Sequence, residues 1–261
     1  MLKQIGPILI LLCVFAENGT PAAPRRQVSD EQVVARAELV ASGSRIEIYQ
    51  HDVSVDRSFL KIMVSAYEAV ERVSGLKLDT AVLGPMVRVY VSDAITVSHV
   101  WRGYQHPRDP KGVIFLNLRA YHGALGGKNA THVHELTHLF TWRYHSHTLR
   151  EGIADYIALK VIPGAAVGPN ARPDDTARRN IAPEILEHLG TTKPAPDWVS
   201  TDPSRRVDYY LSSYRFVKYL VERRDLATFW NFYASENPED DIKNLYGLDR
   251  NEAVQGALGA R

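Results

Sequence analysis

Between residues 59 and 73 the apolar side chains fall at Phe59, Ile62, Met63, Ala66, Tyr67, Val70 and Val73. That spacing keeps them on one face of a helix with 3.6 residues per turn, so an amphipathic helix lying on a core is predicted there. Residues 45–49 (RIEIY) alternate charged and apolar side chains, the period of a half-buried strand. Residues 87–91 (VRVYV) and 113–118 (VIFLNL) are β-branched or aromatic runs bounded by Gly, Pro and Asp, and they read as two more strands. A short helix is predicted over 32–41. From Asn129 onward the pattern turns helical, with candidates at 130–144, 150–160, 174–189, 207–224 and 226–234. Strands first and helices later predict an α+β protein. A small N-terminal mixed sheet with helices (31–128) would precede a mostly helical C-terminal lobe (129–261), with a cleft between the two. The Pro-, Asp- and Thr-containing stretches 166–176 and 191–206 read as loops able to rim that cleft.

Composition narrows the partners. The 31 basic and 30 acidic residues leave a formal charge of +1, so no global field points to nucleic acid or lipid headgroups. With 45% hydrophobic and 23% charged residues over 261 positions, the chain has ordinary globular content and enough length for a sizeable core. At the N-terminus Lys3 precedes an apolar run from Ile8 to Phe15, with Val14 and Ala16 at the −3 and −1 positions of a cleavage site. Residues 1–16 therefore read as a signal peptide and 17–30 as a flexible leader. Export to the periplasm or the medium follows, with no stable membrane span after cleavage, since the apolar run falls short of the ~20 residues a span needs. Cys13 is the only cysteine, and Leu12 stands where a lipoprotein signal would carry a small residue. The mature chain would then hold no thiol, and any metal in it must take nitrogen and oxygen ligands.

The candidate chemistry lies in His132-Val133-His134-Glu135-Leu136-Thr137-His138. On a helix His134 and His138 sit one turn apart on the same face, so two imidazole nitrogens can reach one zinc ion. Glu135 projects ~100° around from His134, where it can meet a water beside the metal without binding the metal itself. A second predicted helix, Leu149-Arg150-Glu151-Gly152-Ile153-Ala154-Asp155-Tyr156, begins after a short connection. If it folds back, Glu151 becomes a third ligand, and Asp155, one turn on, can accept from a ligand imidazole and fix its tautomer. His145 and His147 are the alternative third ligands. A metzincin spacing would require Gly at 141 and His at 144, where this chain has Thr141 and Tyr144. His132, His145 and His147 otherwise read as surface or loop residues, and Trp101, Trp142, Trp198 and Trp230 as packing residues.

HELTH followed by REGIADY resembles the gluzincin metallopeptidases, the thermolysin-like and aminopeptidase-like superfamily with H-E-x-x-H and a downstream E-x-x-x-D. The likeness is specific over residues 131–158. It implies a zincin-like fold with the active site in the cleft and one zinc ion held by His134, His138 and Glu151. It also implies Glu135 as general base, Asp155 as orienting carboxylate, and a peptide or protein substrate. The 12 residues between His138 and Glu151 are fewer than in thermolysin, so the connection must be short. Residues 210–220 resemble the Y-x-x-S-x-x-F-V-x-x-L helix downstream in such domains. Tyr210 and Tyr214 are then candidate donors to the developing oxyanion, Tyr210 the preferred one, or plain packing residues. The family's edge strand, which pairs with extended substrate, would correspond to 113–118. Asn117 would add a side-chain hydrogen bond there, or merely end a buried strand. No G-A-M-E-N motif is present, which favours endopeptidase action. The rival reading is a zinc-binding but non-catalytic protein on the same scaffold.

Overall fold

The structure is a computed structural model that describes residues 28–101, 111–167 and 182–259. The predicted signal peptide, the leader up to residue 27, and residues 168–181 of the predicted loop and helix lie outside the described residues. Helix α1 (Asp30–Arg36) opens on a capping box, in which Gln32 N–H donates to Ser29 Oγ and Ser29 N–H donates to the Gln32 side chain. The helix predicted over 32–41 is corrected here. It stops at Arg36, Ala37 is extended, and Glu38–Ser42 forms strand β1. Leu39 is exposed, so no core-facing stripe continues past Ala37. Pairing with the next strand, β2 (Ile46–His51), takes over the backbone groups instead.

The sheet grows in the order β1-β2-β3-β5-β4, with β3 at Val87–Ser92, β4 at His99–Val100 and β5 at Val113–Asn117. The β2–β3 and β3–β5 pairs are parallel and both outer pairs antiparallel, so the fold is α+β with a mixed sheet. Its middle strands are covered on both faces, which explains their near-continuous apolar runs. Val87, Val89, Val91, Ile114 and Leu116 join the main core, while Tyr90, Val113 and Phe115 pack with Val33 of α1. Strand β5 is therefore not the edge: β4 lies outside it along Ile114 and Phe115.

Helix α2 (Phe59–Ser74) crosses the main-core face and ends at Gly75 in the left-handed region. Its buried Phe59, Met63, Ala66, Tyr67 and Val70 are the stripe visible in the sequence. After a one-turn α3 (Thr80–Leu83), the rest is helical: α4 (Leu118–Leu125), α5 (Thr131–Phe140), α6 (His147–Val161), short α7 (Pro183–Leu186) and α8 (Trp198–Thr201), then α9 (Pro203–Arg223), α10 (Leu226–Tyr233), α11 (Pro238–Tyr246) and α12 (Arg250–Gly259). Of the helix predicted at 174–189, only Pro183–Leu186 is helical among the described residues. Trp142 and Trp230 pack against the main core, and Trp230 Nε1 donates to the Ser74 carbonyl. Among the described residues no helix is long and apolar enough to cross a membrane.

Two local contacts fix the parts that frame the site. His99 of β4 stacks on Phe115, and its Nε2 lies 3.0 Å from both Asp30 carboxylate oxygens while its Nδ1 lies 2.8 Å from the Val97 carbonyl. Both nitrogens face acceptors, so the arrangement favours the imidazolium. Burial alone would lower its pKa, but the Asp30 hydrogen bond and the Val97 carbonyl outweigh that and raise it. A raised histidine pKa stabilises the fold fully below the unfolded value of ~6.5, and that stability is lost as pH rises through the folded value. Replacing Asp30 with Asn is therefore expected to lower Tm most near pH 6 and least in alkaline solution. A Tm difference that does not change with pH would show that this pair is not charged.

The second contact is between α6 and α9. A Cβ built on Gly152 would stand 2.3 Å from the Ser213 carbonyl oxygen and 2.6 Å from Val217 Cγ2, so the helices touch backbone to side face at this point. Only glycine fits next to Glu151. Gly152→Ala must push the helices apart, and a loss of about 1–3 kcal/mol or more in denaturant unfolding is expected. Unchanged stability would mean that the crossing has slack.

Candidate metal centre

All ten residues of α5 are buried, enclosed by α2, α4, α6 and the β4–β5 side of the sheet. A helix buried all round is ordinarily apolar, yet this one carries His132, His134, Glu135, Thr137 and His138. Thr137 is accounted for locally, since its Oγ1 donates to the Val133 carbonyl. The imidazoles and Glu135 are not, and their burial calls for a chemical partner.

The structure brings the predicted ligands together. His134 Nε2 and His138 Nε2 are 3.0 Å apart, and each lies 3.4 Å from Glu151 Oε2. The circle through these three atoms has a radius of about 1.9 Å, just under the ~2.0–2.1 Å of zinc–nitrogen and zinc–oxygen bonds. Asp155 Oδ1 accepts from His134 Nδ1 at 2.7 Å, which places a hydrogen there and turns Nε2 toward the other two atoms; burial would lower the His134 pKa, but the Asp155 and Glu151 carboxylates raise it well above its ordinary value. Burial pushes His138 down to about 3, helped by the Arg150 charge, so it stays neutral. Burial opposes ionisation of Glu151, but His138, Arg150 and His134 together hold its carboxyl well below the usual range. Two imidazole nitrogens and a carboxylate oxygen thus converge, and without a cation the His134 proton must lie among them. A divalent cation that accepts nitrogen and oxygen ligands satisfies all three, and His134, His138 and Glu151 could hold one.

No protein-family model matches this sequence and no curated protein matches it. The site is therefore argued from its own geometry.

Glu135 is 5% exposed and forms no hydrogen bond with a described residue. It lines two cavities that share Val97, Ser98, His134 and Tyr210, one of about 180 Å³ toward Arg119 and Arg206, the other of about 170 Å³ toward His138, His147 and Glu151. Burial lifts its carboxyl to about 7, with Glu151 adding to the shift and the His134 charge opposing it. Tyr210 of α9 lies on the wall of both cavities. Burial, then the Glu151 charge, holds its phenol well above the ordinary value of 10, so it remains a hydrogen-bond donor.

Other predicted residues are placed differently. Tyr214, one turn beyond Tyr210, is buried in the core and borders a separate cavity with Tyr156, Lys160 and Lys218, so it is not brought to the metal ligands. Asn117 is committed to structure: its Oδ1 caps α4 by accepting from Ala120 N–H, and its Nδ2 donates to the Thr96 carbonyl. His132 is buried on α5, not at the surface, and burial pushes it down to about 4; His145 is exposed as expected.

Two neighbours flank Glu151: Arg150, to which the sequence reading gave no role, and His147, weighed there as an alternative third ligand or a surface residue. His147 Nε2 lies 3.6 Å from Glu151 Oε1, and its Nδ1 pairs with the Tyr209 hydroxyl at 3.1 Å. Arg150 is buried with Nη1 3.6 Å from the same oxygen. His147 and Glu151 are four apart on a helix, and that spacing was the available signal.

Proposed function

We propose that this chain is a zinc-dependent peptidase of the gluzincin type, acting in a zincin-like cleft between the β4 edge and helices α5, α6 and α9. The observation that carries the reading is the convergence of His134 Nε2, His138 Nε2 and Glu151 Oε2 beside a buried carboxylate, Glu135, that faces two cavities. A purely structural site has no need of that base.

Zinc, when bound, would lower the pKa of a water toward ~7 and polarise the scissile carbonyl. Glu135 then takes the proton on its carboxylate and later hands it to the leaving amine, a cycle suited to a group held near neutrality. The Tyr210 hydroxyl donates to the developing oxyanion. Asp155 keeps the His134 ring in the tautomer that presents Nε2. The role of substrate-pairing edge passes from β5 to β4, which has no outer strand partner among the described residues and whose approach, Val97 and Ser98, lines both cavities. The two adjoining cavities that Glu135 lines suit a chain that continues past the cut bond, hence an endopeptidase acting on peptides or proteins. Export rests on the sequence of residues 1–16.

The test is metal content with casein hydrolysis on the purified chain. One zinc per chain is expected, with hydrolysis abolished by a chelator and restored by zinc. Metal without hydrolysis would favour the non-catalytic binding role, and absence of metal under zinc-replete conditions would sink the site.

A further inference from the structure

The cavity toward Arg119 and Arg206 carries a charge pattern that zinc hydrolysis does not require. Arg206 stands in the first turn of α9, where its Nε donates to the Val199 carbonyl at 2.5 Å and its Nη2 to the Ser200 carbonyl at 2.6 Å. Those partners fix the guanidinium without neutralising it and use two of its five N–H donors. Its neighbour Arg205 differs, since it pairs with Glu184 and lies over Trp198. Arg119, in the first turn of α4, is exposed and has no side-chain partner among the described residues. Around these two cations the wall is neutral. Asn117 and Asn129 spend their oxygens on Ala120 N–H and Thr131 N–H, and Val97 and Ala120 are apolar. Glu135 is the one carboxylate among the described lining residues, and it lies at the reactive end.

We propose that this cavity is a subsite for a carboxylate of the substrate, adjacent to the bond that is cut. The ligand is an aspartate or glutamate side chain or the substrate's own C-terminus, gripped by Arg119 and Arg206 while Val97 and Ala120 pack on its methylenes. A volume of about 180 Å³ accommodates the five heavy atoms of a glutamate side chain. Arginine suits this task because its planar fork can meet both carboxylate oxygens. The subsite rests on the peptidase reading and gives that reading a substrate class.

The experiment uses the full chain carrying Glu135→Gln, loaded with zinc, titrated by fluorescence anisotropy. The probes are N-acetylated, C-amidated peptides in pairs that differ only by Glu or Gln at one position, plus the Gln peptides with a free C-terminus. At low salt the Glu peptides are expected to bind about tenfold tighter than their Gln partners. That advantage should shrink at ~0.5 M salt and vanish in Arg119→Glu, an exposed substitution that leaves the core untouched. If the advantage appears instead with the free C-terminus, the carboxylate recognised is the chain end. Equal binding of all three kinds overturns the subsite, as does equal cleavage of Glu and Gln peptides by the parent chain, with the peptidase reading intact. Tighter binding of Glu peptides with no cleavage of any peptide by the parent removes the peptidase reading and leaves the carboxylate site.

Discussion

Glu135→Gln is expected to retain one zinc per chain and to lose peptide hydrolysis by roughly 10²–10⁴-fold, the usual contribution of a positioned general base. The substitution exchanges one oxygen for an NH₂ group of the same shape at a buried position whose carboxylate has no hydrogen bond with a described residue. Helix α5 therefore keeps its packing, and removing a carboxyl whose ionisation burial disfavours should not cost stability. The three converging ligand atoms belong to other residues, so the metal stays. Zinc content and circular dichroism then act as internal controls, and the fall should appear in kcat more than in KM, because the proton moves only during the reaction. Full activity in this variant would remove Glu135 from the mechanism.

What the sequence shows of this molecule is what covalent geometry dictates over short spans. His134 and His138 share a face because they are four apart on a helix, and Glu151 and Asp155 repeat that spacing on α6, whatever the rest of the chain does. Helix α2 was legible for the same reason, as its stripe of five buried residues matches the helical period. Strand β4 is two residues long and carries no pattern to find, yet it decides which strand forms the edge. Strand β1 follows a capped helix without a turn signal and exposes Leu39, so apolar content misled there. Asn117 did carry a cue, because asparagine directly before a helical pattern reads as an N-cap, and the cue competed with the strand before it. Between Tyr210 and Tyr214 the sequence leans only slightly to Tyr210. Both lie on one face of α9, yet Tyr210 lines the cavity that the metal ligands also line, and Tyr214 a separate one with Tyr156 and Lys160. The burial of His132 was hidden because α5 is enclosed on every side and its polar pattern marks no solvent face.

Glu151→Ala should all but abolish zinc retention, and a comparison with Asp155→Asn makes that result specific. Removing Glu151 deletes one of three ligands and the negative charge that offsets a divalent cation in a buried site. Removing only the charge of Asp155 leaves all three ligands but loosens the tautomer of His134, which typically costs ~10–100-fold in metal affinity. In competition with a chromophoric zinc chelator, the loss in Glu151→Ala should therefore exceed that in Asp155→Asn by at least a further ~10-fold. His147 is the control on this argument. Its Nε2 lies 3.6 Å from Glu151 Oε1, close enough to turn toward a metal once Glu151 is gone. Should Glu151→Ala hold zinc as tightly as the parent, Glu151→Ala with His147→Ala would show whether that histidine had taken its place. Loss of zinc only in the double variant would make His147 the replacement ligand, and retention in both would move the metal away from α6 altogether.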